Sequence, residues 1–362
     1  MKTGEVVSHS YRARDTHADA VKGVAIAALV LSHTLTVAAQ TQLGVGLNRF
    51  ITSWNMPLFF FISGWVMALQ PPRTPLQTVG RRAQSLLVPY FAWICVLWVI
   101  GYPWSGGASG VGSWFQILLA PNEMWFLYCL FLADVLFAAV RAVGRQPAVV
   151  FAGVILLALA ATVASRQGQG ALLTLDNLGW LLPFLVAGYY GCRVSQRPPR
   201  LSALMKILLA GLALVLLSCG VGPDLLRVSM FGVWPFSLVA WSRAAAALAN
   251  HSARYALAGA GIATLWQLMR LAPARGKRVM SKLGTATLGI YAMNSPLLTV
   301  LRLWFPAWSV TANPALSIFI VLLAALIVLG VEWLLTLMLR RIALTRRVLL
   351  GQRAVPSTSS GV

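Results

Sequence analysis

The sequence predicts an all-α, polytopic integral membrane protein with about ten transmembrane helices and both termini in the cytoplasm. Apolar residues make up 59% of the 362 residues and charged residues only 10%, whereas roughly a quarter of the residues in an average soluble domain are charged. The apolar residues fall in long runs, and basic residues fall between these runs at every second loop. Such a chain cannot cover a globular surface with polar groups, so a water-soluble fold is excluded.

Ten apolar runs are long enough to span the bilayer as helices, which takes about 20 residues each. In chain order they are 20–40, 50–69, 85–103, 124–142, 147–164, 172–192, 203–221, 253–271, 283–304 and 314–339. The first run follows a polar, basic segment (1–18) and resembles a signal peptide, but the polar residues at 32–34 favour a retained helix. We therefore expect a transmembrane domain over 19–340 and a basic, disordered cytoplasmic tail over 341–362.

Basic clusters orient the helices, because Lys and Arg are enriched in cytoplasmic loops. The chain carries 29 Lys+Arg against 8 Asp+Glu, a formal charge of +21. Two of the clusters, near residues 200 and 275, fall on the cytoplasmic side, so an even number of spans must join them. The weakest apolar stretch between them, 225–247, is therefore expected to be re-entrant or interfacial. Helix orientation and contact with anionic lipid headgroups account for this positive charge, so no nucleic-acid partner is expected.

The four cysteines, Cys95, Cys129, Cys192 and Cys219, lie inside apolar runs or at their ends. The sequence contains no CxxC pattern and no Cys/His cluster at metal-ligand spacing. We interpret the cysteines as small packing residues. No disulfide, metal site or tightly bound cofactor is expected, and the sequence does not indicate an oligomeric state.

Three polar side chains share one stripe of the first predicted helix. Lys22 and His33 are offset by about 20° around the helix axis, and Asp19 lies about 40° to the other side. His33 would lie roughly 16 Å deeper than Lys22, within the membrane. A histidine in that position indicates a function. A cation at the membrane face, Lys22, with a general base deeper in the membrane, His33, suits a phosphorylated ligand. The alternative is structural: Lys22 snorkels, Asp19 caps the helix, and His33 bonds a neighbouring helix.

The segment 19–33 resembles the opening motif of the membrane-bound acyltransferase 3 family, which is a basic residue, ten others and then a histidine. Later blocks resemble the family's further motifs in the same order. They are 54–64 (WNMPLFFFISG), 82–90 (RAQSLLVPY), 123–127 (EMWFL) and 288–291 (LGIY). The resemblance covers about residues 15–300, and the order of the blocks makes it more specific than any single one.

This resemblance implies an O-acyltransferase that moves an acyl group, usually acetyl, from cytoplasmic acyl-CoA to a hydroxyl of a sugar or glycan at the outer face of the cell membrane. Acetyl-CoA would be a co-substrate rather than a bound cofactor. By position, His33 would be the catalytic histidine, deprotonating the acceptor or accepting the acyl group first. Lys22, Arg82 and Trp125 would bind acyl-CoA. Candidates for the acceptor site or its support are Asp19, Asn55, Glu123, Tyr291 and Asn294.

The chain departs from the family pattern at several of these positions. Lys22 stands where arginine is commoner in the family, although a lysine occurs there in a branch that resembles fucose O-acetylases. Asn55 and Asn294 stand where the family often has histidine, and Ser85 replaces an arginine.

Several candidates also have structural interpretations. Arg81 and Arg82 fit positive-inside anchors. Glu123 could favour a helix dipole, and Trp125 could belong to the interfacial aromatic belt. Asp134 lies within an apolar run, so it should be paired or functional, although the sequence suggests no partner.

Two other functions fit parts of the sequence. A proton-coupled transporter or glycan flippase would use His33, Asp19 and Asp134 as a proton relay. The absence of an internal repeat weakens that reading. A non-catalytic membrane partner of a polysaccharide synthase would explain the two asparagines that stand in place of histidines.

Overall fold

The computed structural model describes residues 15–38, 42–99, 124–144, 146–164, 174–195, 243–304 and 313–352. Every regular element within these ranges is helical. The helices are α1 (Thr16–Ala38), α2 (Gln42–Ala68), α3 (Pro75–Arg82), α4 (Val88–Val99), α5 (Trp125–Val143), α6 (Pro147–Ala164), α7 (Leu175–Ser195), α8 (Arg243–Leu271), α9 (Ala274–Thr285), α10 (Thr287–Trp304), α11 (Pro314–Arg341) and α12 (Ala343–Val348). A π-helical turn, Ala83–Leu87, joins α3 to α4.

Five stretches in the described part of the chain are helical, long and apolar enough to cross a bilayer. They are Thr16–Val37, Gly44–Ala68, Pro75–Val99, Trp125–Val143 and Ala315–Arg341. Pro147–Leu157 and Thr287–Leu301 are shorter apolar helices. The all-α membrane class is thus confirmed. Ten spans and cytoplasmic termini stay predictions, because the run 203–221, residues 225–242 and both chain ends lie outside the described residues.

Helices α1 and α2 form the centre of the bundle, and α11 lies at its lipid-facing edge. Within the apolar windows, 56% of the α1 residues and 61% of the α2 residues are buried, against 22% for α11. The exposed side chains of α11 include Phe319, Leu323 and Leu326, which suit contact with lipid tails. The helix that carries the predicted catalytic histidine is therefore shielded by its neighbours.

Glycines let α1 and α9 touch backbone to backbone. A Cβ added at Gly23 would lie 1.9 Å from the carbonyl oxygen of Met280, and one added at Gly284 would lie 1.8 Å from that of Asp19. Small residues commonly permit such close approach between membrane helices. This contact fixes the end of α1 that carries Asp19 and Lys22.

Helices α2 and α7 approach in the same way. A Cβ at Gly64 would meet the carbonyl oxygen of Leu185 at 1.8 Å, and one at Gly188 would meet that of Phe61 at 1.9 Å. With the glycines in place, the two backbones pack without a gap that a side chain could fill.

Two elements differ from the sequence expectation. Helix α9 lies in the basic loop near residue 275, where no apolar run predicts a helix, because hydropathy windows do not detect a short polar helix. Residues 341–352 were expected to begin a disordered tail, but α12 forms there. The side chain of Leu350 is only 3% exposed, and the indole Nε1 of Trp93 donates to the Leu349 carbonyl at 3.0 Å. These residues are therefore part of the packed helical body.

We expect Gly64→Ala to lower the free energy of unfolding by about 1–3 kcal/mol, because the added methyl group forces α2 and α7 apart. Gly330→Ala is the matched control, since a Cβ there meets no atom within 4 Å. Thermal unfolding in detergent compares the two variants. Equal melting temperatures for both would contradict the close packing of α2 against α7.

Candidate active site

The N-terminus of α1 is capped by Asp15. Its Oδ1 accepts hydrogen bonds from the backbone N–H groups of His17 and Ala18, each at 3.0 Å. Its Oδ2 accepts from the indole Nε1 of Trp65 on α2 at 2.9 Å. A carboxylate at this position satisfies amides that have no partner within the helix. The side chain that caps the first amides of this helix is therefore that of Asp15.

Asp19 instead forms an ion pair with Lys22, one turn further along α1. The Lys22 Nζ lies 3.5 Å from Asp19 Oδ1, and the two side chains are 26% and 5% exposed. The pair offsets the cost of burying a carboxylate beside α9. It also keeps the Lys22 ammonium at the edge of the bundle, where it can meet water or a soluble ligand.

His33 belongs to a chain of three polar side chains from three helices. Its Nδ1 lies 2.5 Å from the Oδ1 of Asn294 on α10. The Nδ2 of Asn294 donates to the Oε1 of Glu332 on α11 at 2.9 Å. Asn294 and Glu332 have no solvent-exposed surface, and His33 is partly buried.

This chain fixes which nitrogen of His33 carries the proton. The Oε1 of Glu332 accepts from the amide nitrogen of Asn294, so that nitrogen faces Glu332. The amide oxygen of Asn294 then faces Nδ1 of His33, and an amide oxygen only accepts. Nδ1 must therefore be the N–H donor, which leaves Nε2 with a lone pair. A neutral imidazole in this tautomer is a general base.

Neighbouring contacts hold the helix that carries Glu332. Within α11, the Thr336 hydroxyl donates to the backbone carbonyl of Glu332 at 2.8 Å. The Arg340 guanidinium donates to the hydroxyl and carbonyl of Thr285, which ends α9, and so joins the end of α11 to the end of α9. Glu332 is not among the candidates drawn from the sequence, although an acidic residue within the apolar run 314–339 is the same signal that identified Asp134.

Asn55 binds the backbone of α1 one turn before His33. With the amide orientation that satisfies both of its groups, it donates to the carbonyl of Ala25 at 3.0 Å and accepts from the N–H of Leu29 at 3.3 Å. The Asn55 side chain is buried. Of the acceptor and supporting roles expected for this residue, this geometry favours the supporting one, in which Asn55 joins α2 to α1.

Tyr291 lies one turn before Asn294 on α10 and contacts the start of α5. The backbone N–H of Phe126 donates to the Tyr291 hydroxyl at 3.3 Å, and their ring centroids are 5.3 Å apart. Trp125 adds an edge-on contact to Phe126 with centroids 6.2 Å apart. Tyr291 and Trp125 thus belong to one aromatic cluster. Glu123 lies outside the described residues.

Arg82 and Asp134 form an ion pair deep in the bundle. The Arg82 Nε lies 2.8 Å from Asp134 Oδ2. Ser63 completes the cluster, lying 3.5 Å from Asp134 Oδ1 and 3.4 Å from Arg82 Nη2. Asp134, which had no partner in the sequence analysis, is fully buried and compensated by Arg82.

Within the described residues, no group of three or more His, Cys, Asp or Glu side chains is placed to hold a metal ion.

Residues 16–336 match the sequence profile of a protein family described as an acyltransferase domain. The chain belongs to the membrane-bound acyltransferase 3 family. The membership confirms what the ordered motifs indicated, and it makes the protein a membrane acyltransferase. Comparisons with curated proteins and with solved structures find no match. The matched region of this acyltransferase contains Lys22 and all three hydrogen-bonded side chains, His33, Asn294 and Glu332.

We expect Asp134→Ala to destabilise the acyltransferase by about 3 kcal/mol, because it leaves a largely buried guanidinium without its counter-charge. The double variant Arg82→Met/Asp134→Leu removes both charges and should recover most of that loss. Thermal unfolding of the purified variants measures the difference. If the double variant is as unstable as Asp134→Ala, the ion pair is not the source of the effect.

Proposed function

We propose that the protein is an O-acyltransferase that moves an acyl group, acetyl in the simplest case, from acyl-CoA to a hydroxyl of a sugar or glycan. The observation that carries this proposal is the chain from His33 through Asn294 to Glu332, which leaves a basic Nε2 on a histidine inside the bundle. In a membrane acyltransferase, the reaction that needs such a base is deprotonation of a hydroxyl acceptor.

In the proposed step, Nε2 of His33 takes the proton of the acceptor hydroxyl as its oxygen attacks the thioester carbonyl. The C–O ester bond forms, the C–S bond breaks, and the proton passes from His33 to the leaving thiolate. Asn294 keeps accepting from Nδ1–H throughout, and the carboxylate of Glu332 lies behind it. This polar chain stabilises the imidazolium that exists between the two proton transfers.

The depth of His33 supports transfer across the cell membrane. On α1 it lies eleven residues from Lys22, which is roughly 16 Å along the helix axis. An acyl thioester that enters from the cytoplasm and an acceptor that enters from the outside can meet at such a residue. Lys22, at the edge of the bundle near the predicted cytoplasmic end, suits an anionic group of the donor.

Polar groups on the other side of His33 support a hydroxyl-rich acceptor. The hydroxyl of Ser32 donates to Asn48 Oδ1 at 2.5 Å, and Asn48 Nδ2 donates to the hydroxyl of Thr36 at 3.1 Å. Ser32 and Thr36 lie within about one turn of His33 on α1, and Asn48 of α2 links them. Thr36 lies toward the end of α1 that the basic clusters place outside. Hydroxyl and amide groups of this kind hydrogen-bond sugar hydroxyls.

We expect His33→Ala to lower transfer from radiolabelled acyl-CoA by about 10²–10⁴-fold, which is the usual contribution of a general base. His17→Ala is the matched control, since it removes an imidazole of the same helix that packs against Trp266. Transfer in proteoliposomes with a glycan acceptor measures both variants. Unchanged turnover in His33→Ala would refute the proposal.

We expect Asn294→Leu to lower kcat by about 10²-fold with little change in KM, because the variant releases the imidazole from its reactive tautomer. Glu332→Gln should have a smaller effect of the same kind, since a glutamine can present either end of its amide to Asn294.

Asn294→His serves as the rescue variant. An imidazole can accept from His33 and donate to Glu332, so activity should return while the pH profile of kcat changes. A merely structural role for Asn294 predicts a different result, in which the three variants differ in melting temperature but not in kcat.

A further inference from the structure

Residues 349–351 follow α12 and form a short strap that packs against three other parts of the bundle. The backbone N–H of Gln352 donates to the Arg346 carbonyl at 3.0 Å, so the chain turns as α12 ends. Gly351 has a φ of +59°, a left-handed conformation that glycine adopts without strain. The turn and this glycine let the strap leave α12 and meet neighbouring helices.

On one side, the strap lies on the π-helical turn and the start of α4. The carbonyl of Leu349 accepts from the indole Nε1 of Trp93 at 3.0 Å. A Cβ added at Gly351 would lie 2.5 Å from the carbonyl oxygen of Ser85 and 3.0 Å from Cγ of Pro89. The approach is therefore as close as two backbones allow, and it needs a residue without a side chain.

On the other side, the strap lies where α10 meets α11. The buried side chain of Leu350 brings its Cδ2 within 3.0 Å of the point where a Cβ on Gly289 of α10 would lie, and the Thr336 hydroxyl of α11 lies 2.5 Å from that point. Asn294 follows Gly289 by five residues, and Glu332 precedes Thr336 by four. The strap thus joins the π-helical turn to the two helices that hold the polar chain of the candidate site.

The π-helical turn is a hinge between α3 and α4. Pro89 has no backbone N–H, so the Ser85 carbonyl lacks the donor that a regular α-helix would supply. The N–H of Val88 donates to the carbonyl of Ala83, five residues back, in place of the usual four. Helices bend where their hydrogen-bond ladder is interrupted in this way. The angle between α3 and α4 therefore depends on contacts from outside the two helices.

Arg82 is the last residue of α3 and lies directly before this hinge. Its Nε lies 2.8 Å from Asp134 Oδ2 inside the bundle, and its carbonyl accepts from the Ser85 hydroxyl at 3.4 Å. Because the strap packs against the backbone of Ser85, one line of contacts runs from Gly351 to the buried ion pair.

We propose that Leu350 and Gly351 are positioning residues for acyl transfer. The strap braces the hinge against α10 and α11, so that Arg82 on one side and Asn294 on the other keep one separation during the reaction. The inference rests on the proposed function, in which the polar chain supplies the base. It gives a role to a segment that lies beyond the residues matched by the family profile, 16–336.

The first test compares two leucines of the same segment. We expect Leu350→Ala to lower kcat about tenfold with less than about a twofold change in KM, because a small displacement of the reacting groups slows the step that follows binding. Leu344→Ala is the matched control, since that side chain is 70% exposed, and it should keep parental kcat. Transfer in proteoliposomes is measured at a temperature where thermal unfolding shows both variants folded.

The second test compares two glycines. Gly351→Ala should also lower kcat about tenfold, because the added methyl group meets the Ser85 backbone and a φ of +59° disfavours alanine. Gly80→Ala on α3 is the matched control, since a Cβ there meets no atom within 4 Å.

Two further variants separate positioning from a structural role. Leu350→Met keeps an apolar side chain of similar volume and should restore most of the lost kcat. In the Asn294→Leu background, Leu350→Ala should lower kcat by less than about twofold more, because both changes act on one positioned unit. A structural role alone predicts a lower melting temperature for Leu350→Ala and a parental kcat in the folded protein, and that result overturns the proposal.

Backbone hydrogen exchange over residues 83–99 tests the brace without acyl transfer. We expect exchange about tenfold faster in Leu350→Ala and Gly351→Ala than in the parent or in the two controls. Parental exchange and turnover in both strap variants would refute the proposal while leaving the proposed function intact. Faster exchange in a protein whose parent transfers no acyl groups would instead confirm the brace and refute the proposed function.

Discussion

The buried carboxylate of Glu332 is the constraint on which the candidate site depends. A charged or polar group inside an apolar bundle needs a hydrogen-bond partner, because no water is there to solvate it. Asn294 supplies that partner, and in doing so its amide is held in one orientation. The orientation of one amide then decides the tautomer of His33. Three side chains on three helices therefore act as one unit, and the reactive nitrogen is determined by the residue furthest from it.

That unit is only as precise as the packing of the helices that carry it. Glycines bring α1 into backbone contact with α9 and bring α2 into contact with α7, while Asn55 joins α2 to the α1 backbone. Arg340 holds the end of α11 against Thr285. Because α1 is held on two sides, His33 meets Asn294 in a single geometry. Precise positioning of this kind lets a general base work without reorganisation during the reaction.

The arginines show how one residue type serves two purposes. The charge of +21 falls at alternate loops of the predicted topology, and by the positive-inside rule this pattern predicts the orientation of the chain in the membrane. Within that pattern, individual arginines make different contacts in the folded protein. Arg82 is drawn into the bundle by Asp134, and Arg141 and Arg193 are stacked on Tyr189. A residue placed by the topology rule thus acquires a fixed position only through its neighbours.

The sequence alone determined the membrane class, most of the helices, the family and the stripe that carries His33, because hydropathy, charge distribution and helical periodicity are local properties. It placed Asn294 among the candidates but did not reveal Glu332 as its partner or the pairing of Asp134 with Arg82. Only the tertiary structure decided these, since the residues that meet are far apart in the chain: His33 and Asn294 are separated by 261 positions. Which donor faces which acceptor depends on helix packing, and local patterns do not encode it.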